Sequence, residues 1–152
     1  MIQISHGREA GAKSQLRSDT FVGEVWGDPV LGAEGVTVND VFFAPGARTN
    51  WHTHANGQIL HVKAGRGRIW SRDGQGGPIG AGDTIWIPPG EEHWHGAAPD
   101  TYMLHLAVSL GDEHAALYCR WGADRRAMAI SGEVAAGRAA RFGLGDRRWS
   151  RG

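Results

Sequence analysis

From Phe21 to Leu106 the apolar positions fall into short β-favouring runs: TFVGEVW, VTVNDVFF, QILHV, GRIW, DTIWI, HWHG and YMLHLAV. Residues able to take fixed or positive φ angles separate them, at Ala44-Pro45-Gly46, Asn56-Gly57, Asp73-Gly74, Gly76-Gly77-Pro78 and Pro88-Pro89-Gly90. Runs of this length predict seven or eight strands in a closed or two-sheet barrel, an all-β domain over residues 19–110. Residues 1–18 are polar and aperiodic and read as an N-terminal arm that pairs at an edge or stays loose, with no function placed on it. After Gly111 the pattern stops and Ala, Arg and Gly take over. Residues 111–152 read as a short extension, partly helical or irregular, in which Ser131 could cap a helix through Phe142 that Gly137 weakens.

Composition narrows the function classes. The 152 residues fit one domain, and 24 glycines with seven tryptophans suit a turn-rich β protein. Sixteen basic residues balance sixteen acidic ones, so no net charge calls for nucleic acid or a membrane surface. The arginines of the extension lack the interleaved aromatics of an RNA platform and read as a solvated surface. A single cysteine, Cys119, excludes an internal disulfide and fits a reducing compartment. No stretch has the apolar length of a leader or a membrane span, so the expectation is a cytoplasmic protein. Exposed edge strands and abundant tryptophan point to a homo-oligomer, a dimer or tetramer.

The chemistry concentrates in the histidines, six of which fall between residues 52 and 105. His52 and His54 are two apart, so on a strand both imidazoles share a face and can meet one metal ion. Gln58 follows across the Asn56-Gly57 turn, where it can offer an amide oxygen from the returning strand. A further ligand must come from elsewhere, and His93 and His95 form a second pair two apart.

Gly46, His52, His54, Gln58 and Gly65, at their spacing, resemble the first cupin motif, with Gln58 where most members carry Glu. Gly82, Pro88, Gly90 and His93 resemble the second, with Ala97 where the motif usually ends in Asn. The resemblance spans roughly residues 20–110 and implies a double-stranded β-helix, or jelly-roll barrel. Within the superfamily the chain looks most like small bacterial cupins that include manganese-dependent hydroxynitrile lyases. That likeness implies a metal held by His52, His54, Gln58 and His93, with His95 and His105 lining the cavity. It also supplies manganese, since imidazole and amide oxygen donors suit Mn, Fe, Co, Ni or Zn equally.

Three imidazoles and one carboxamide leave the charge of a divalent ion uncompensated, which favours anion binding and Lewis-acid chemistry over oxidation at the metal. The likeness to hydroxynitrile lyases implies, as the reaction on a small-molecule substrate, reversible cleavage of a cyanohydrin to aldehyde and cyanide. His95 is the expected general base, and Thr49 and His105 orient the oxygen or the departing cyanide. The apolar wall is expected from among Trp51, Ile85, Trp94, Met103 and Leu106. A metal-dependent dioxygenase and a non-catalytic small-molecule binder are the competing functions, because one fold hosts many chemistries. His61 is expected on the outer face, and Trp26, Trp70, Trp86 and Trp94 in packing between sheets or subunits. Arg48 is read as a rim ion pair or a partner for a substrate carboxylate.

Overall fold

The computed structural model describes residues 1–7 and 11–111, and every regular element within them is a β-strand. In chain order these are β1 (Gln15–Arg17), β2 (Phe21–Val22), β3 (Val25–Ala33), β4 (Val36–Phe43), β5 (Arg48–Thr49), β6 (Gln58–Ser71), β7 (Gly76–Gly80), β8 (Thr84–Ile87), β9 (His93–Ala97) and β10 (Met103–Leu110). They pair antiparallel in the order β1-β3-β4-β10-β6-β9-β5-β2, with β7 and β8 also on β6. The expected all-β jelly-roll barrel is what the chain forms. No helix among the described residues is long and apolar enough to cross a membrane. The extension from residue 112, with its expected helix, Cys119 and His114, lies outside the described residues.

One long strand organises the barrel. QILHV and GRIW, expected as separate strands, are the two halves of β6. The first half pairs with β10 and β8, the second with β9 and β7. The change of partners falls where the β10 register slips at Leu104/His105 and where Gly65 takes φ 77°. A β-carbon at Gly65 would run into the Tyr102 carbonyl, so only glycine turns this corner.

Two further expectations needed correction. Gly76-Gly77-Pro78 is strand β7 and not a turn; Pro78 is accommodated because, among the described strands, β7 pairs with β6 alone, so no second strand needs its missing N–H. TFVGEVW breaks at Gly23-Glu24 into β2 and the start of β3, which then runs on through Pro29 with a register shift there. Of the two alternatives for the arm, edge pairing is the one formed: Gln15–Arg17 adds an edge strand to β3.

Alternation along these strands separates two faces. In β6, Gln58, Leu60 and Val62 are buried while His61 is exposed, as expected, with Nδ1 2.9 Å from Thr84 Oγ1. Val25, Phe43, Leu60, Val62 and Met103 are at most 1% exposed and form the centre of the apolar core. Each such side chain contributes about 1.5–3 kcal/mol by leaving water. Of the tryptophans expected in packing between sheets or subunits, Trp94 is buried, Trp26 and Trp70 are half-buried and Trp86 is 52% exposed on the single chain.

Candidate metal centre

β9 carries two of the histidines and is buried at every position, because β6 flanks it on one side and β5 on the other. His52 and His54 are held differently from expectation: residues 50–57 are not a regular strand. His52 instead makes one isolated bridge to His93, donating its N–H to the His93 carbonyl at 3.0 Å and accepting the His93 N–H at 2.9 Å. That bridge sets the two side chains directly opposite, with ring centroids 4.2 Å apart. The His54 carbonyl accepts the N–H groups of Gly57 (3.3 Å) and Gly90 (2.9 Å), which fixes the second histidine without strand pairing.

Three of the rings converge and the other two lie beside them. Ligand atoms of His52, His93 and His95 lie within 4.8 Å of one another, all buried. The His54 ring is 5.1 Å from His52 and 5.6 Å from His93, and His105 is 4.9 Å from His95. Gln58 opens β6 beside them, its Nε2 donating to Ser109 Oγ at 3.2 Å and its Oε1 without a partner. The structure thus brings together all four residues expected as ligands, and it adds His95 to the tightest group.

The protein also prepares the donors. Nδ1 of His52 lies 2.9 Å from the Asn50 carbonyl, and Nδ1 of His93 lies 2.9 Å from the Glu91 carbonyl. A carbonyl only accepts, so Nδ1 carries the proton in both rings and Nε2 keeps its lone pair. Both nitrogens of His54 and of His105, Nε2 of His93 and Nδ1 of His95 are buried with no hydrogen-bond partner. Such atoms each cost roughly 1–3 kcal/mol unless something satisfies them. A divalent cation does so for several at once, and the residues present fit one.

Burial keeps the set neutral. It lowers His52 to about 3, helped by repulsion from His93 and then His54 and opposed by the Asn50 carbonyl. His54 falls to about 4 through burial and then His93, with Gln58 near enough to oppose the shift though no well-aligned hydrogen bond joins them. His105 falls to about 4 and His93 is lowered, both chiefly by burial. His95 drops well below its ordinary value through burial first, then the charges of His105, His52, His93 and His54. Neutral imidazoles are the ligating form.

A cavity of about 440 Å³ opens onto Thr49, His52, His54, Gln58, His95 and His105. The Thr49 hydroxyl accepts the His95 backbone N–H at 3.1 Å, which leaves its own proton free to point into the cavity. The wall is not the one expected: Leu16, Phe21, Val41 and Ala107 line it, and Trp51, Ile85, Trp94, Met103 and Leu106 do not. Trp94 and Leu106 have the wrong strand parity relative to their histidine neighbours. Met103 and Ile85 belong to the packed core, and Trp51 lies under the Arg72 guanidinium at 4.2 Å. Arg48 does not face the cavity and makes no ion pair among the described residues; its Nη1 donates to the Thr49 carbonyl at 3.2 Å.

Sequence reasoning missed the arm. Leu16 to Phe21 line the cavity alongside Asn39 of β4 and Ser109 of β10. Parity with His105 would have found Ala107 and Ser109; no local signal marks the arm residues.

Comparison with known proteins agrees with this geometry. Residues 39–109 match the cupin domain family. The chain is 47% identical over 105 residues to an (R)-mandelonitrile lyase of Granulicella tundricola, covering 67% of this chain and 79% of that one. Among solved structures, a cupin-like protein from Thermotoga maritima superposes with TM-score 0.63 at 38% identity, covering 70% of this chain and 84% of the other. A polyketide cyclase from Streptomyces resistomycificus superposes with TM-score 0.65 at 20% identity over 82% and 89%, a likeness of fold.

Proposed function

The chain belongs to the cupin family, and we propose that it is a metal-dependent lyase of the hydroxynitrile lyase type, cleaving a cyanohydrin reversibly to an aldehyde and hydrogen cyanide. The observation that carries the reading is the cluster of buried, neutral imidazoles facing one cavity, with nitrogen atoms left unpartnered. The likeness to the mandelonitrile lyase selects the reaction. We assign His52, His54, Gln58 and His93 as the residues that hold the ion and manganese as the ion. When bound, it supplies Lewis acidity toward an oxygen of the substrate.

The chain's own residues then divide the work. His93 is buried, at 1% exposure, and its Glu91 hydrogen bond keeps Nε2 free to ligate. His95, neutral because it is buried among four other histidines, accepts the cyanohydrin hydroxyl proton as the C–C bond breaks. The electron pair of that bond leaves with cyanide, and His95 returns the proton to give hydrogen cyanide. Thr49 steadies His95 through its backbone and donates its hydroxyl to the reacting oxygen. His105, beside His95, orients the departing cyanide. A cavity of about 440 Å³ suits an aromatic aldehyde.

The test is release of cyanide from mandelonitrile by metal-loaded protein without oxygen, followed by metal analysis of His95→Ala. Turnover lost with the metal retained supports His95 as the base. Metal lost with it would place His95 in the ligand set, where its approach to His52 and His93 also allows it to belong. Substrate-dependent oxygen uptake would sink the lyase reading in favour of an oxygenase.

A further inference from the structure

Arg17 ends the short strand β1, and its guanidinium lies over Gly27 of β3. A β-carbon at Gly27 would sit 2.7 Å from Arg17 Nε and 3.3 Å from Nη2, so the missing side chain is the slot that holds the group. Both residues line the cavity that the histidines face. The register shows how they relate. Gly27 pairs with Val41, and Val41 pairs with His105, so the three stand in one row across β3, β4 and β10 and present to the same side of the sheet. Adjacent strands are about 4.8 Å apart, which puts Gly27 roughly 10 Å from His105 along the row.

Arg17 makes no ion pair with any described residue. Asp19, also on the cavity, accepts the Ser18 hydroxyl at 2.9 Å and is not paired with it. A half-buried guanidinium, slotted against a glycine and unneutralised, faces the end of the cavity away from the metal centre. Ser18 and Thr20 add hydroxyl groups beside it.

We propose that Arg17 is an anion-recognition site of the cavity, and that the ligand carries a carboxylate at the end opposite its reacting carbon. With the lyase reading above, which supplies the reacting end, the substrate class becomes an aromatic aldehyde or cyanohydrin with a carboxylate across the ring. Guanidinium and carboxylate match as a two-point pair, and the partial exclusion of water strengthens it. The anion site itself does not depend on the lyase reading.

The test uses a nearly isosteric pair, 4-formylbenzoate and 4-formylbenzamide, binding to the metal-loaded protein by calorimetry. The carboxylate is expected to bind about ten- to hundred-fold more tightly than the amide. Arg17→Gln should bring that ratio close to one, and Arg17→Lys should keep part of it. Gly27→Val, which fills the slot without removing the charge, should also reduce it. A ratio near one in the unaltered protein, or one that survives Arg17→Gln, overturns the inference. A preference that survives Arg17→Gln and disappears on metal removal does so by placing the carboxylate on the metal. If the preference holds while neither aldehyde is converted with cyanide, the lyase reading falls and the anion site stands. Equal conversion of both aldehydes with equal affinity has the opposite meaning.

Discussion

Phe43 divides the barrel interior into two kinds of region. It belongs to the apolar core with Val25, Leu60, Val62 and Met103, and its ring also meets His95 edge-on at 5.7 Å and His105 at 5.4 Å. In the core, every buried group finds its partner among its neighbours, since apolar surfaces only need to exclude water. Beyond Phe43, seven buried polar atoms on five residues have no partner among the described residues. Both regions are equally inaccessible, so burial does not distinguish them; satisfaction does. The core is complete as folded, whereas the histidine region holds an arrangement that only a ligand completes.

The sharpest way to break this contrast is His52→Ala. Loss of one donor from the centre is expected to lower metal content to near zero and cyanohydrin turnover by roughly a thousand-fold or more. Metal analysis beside an activity assay reads both, and full turnover by metal-free protein would refute the division. Next comes Leu60→Ala in the core, at 0% exposure, which should cost about 2–5 kcal/mol in denaturant unfolding. It should cost the same with and without metal; a loss confined to one form would mean that core and site are not separate.

Acid should act on the histidine region alone. In the unfolded chain these imidazoles take up protons near 6.5, whereas the folded, metal-free protein holds His52 neutral to about 3 and His54 and His105 to about 4. Below 6.5 the unfolded state binds more protons, so stability rises with pH. It is complete above about 6.5 and falls as the pH drops toward the folded values. Each imidazole that must charge contributes a slope of about 1.4 kcal/mol per pH unit. Denaturant midpoints of metal-free protein at pH 7.5, 6 and 5 read this, and a flat profile would count against the buried neutral cluster. The smallest effect has the opposite sign from Leu60→Ala. His54→Leu removes two unpartnered nitrogens in exchange for apolar volume, and should stabilise the metal-free protein by about 1 kcal/mol while abolishing metal binding. A destabilised metal-free variant would show that His54 has a protein partner after all.

Much of the site was legible because cupin motifs are local. His52, His54 and Gln58 lie within seven residues of chain, and His93 sits a fixed distance after the Pro88-Pro89-Gly90 turn. The strands read correctly include VTVNDVFF, bounded by turn residues at both ends, and the run through His105, which alternates in burial. Misreadings arose where local chemistry points one way and pairing another. Gly76-Gly77-Pro78 has turn composition and becomes a strand because β6 offers it an open edge. His52 and His54 share a face through one bridge and a turn, not through regular alternation. The wall residues were misassigned because hydrophobicity marks burial without saying whether a side chain faces the core or the cavity.

By itself, the sequence determined which atoms can act as ligands and that strands would carry them, since donor chemistry belongs to the side chain and alternation to the local backbone. Only the tertiary structure decided that five histidine rings lie in contact with one another in series, that His95 joins the tightest three, and that the N-terminal arm reaches the cavity. These depend on pairing between strands far apart in the chain. Arg17 over Gly27, in a row with Val41 and His105, is a product of register, and register is set by the fit of whole sheets rather than by any residue's neighbours in sequence.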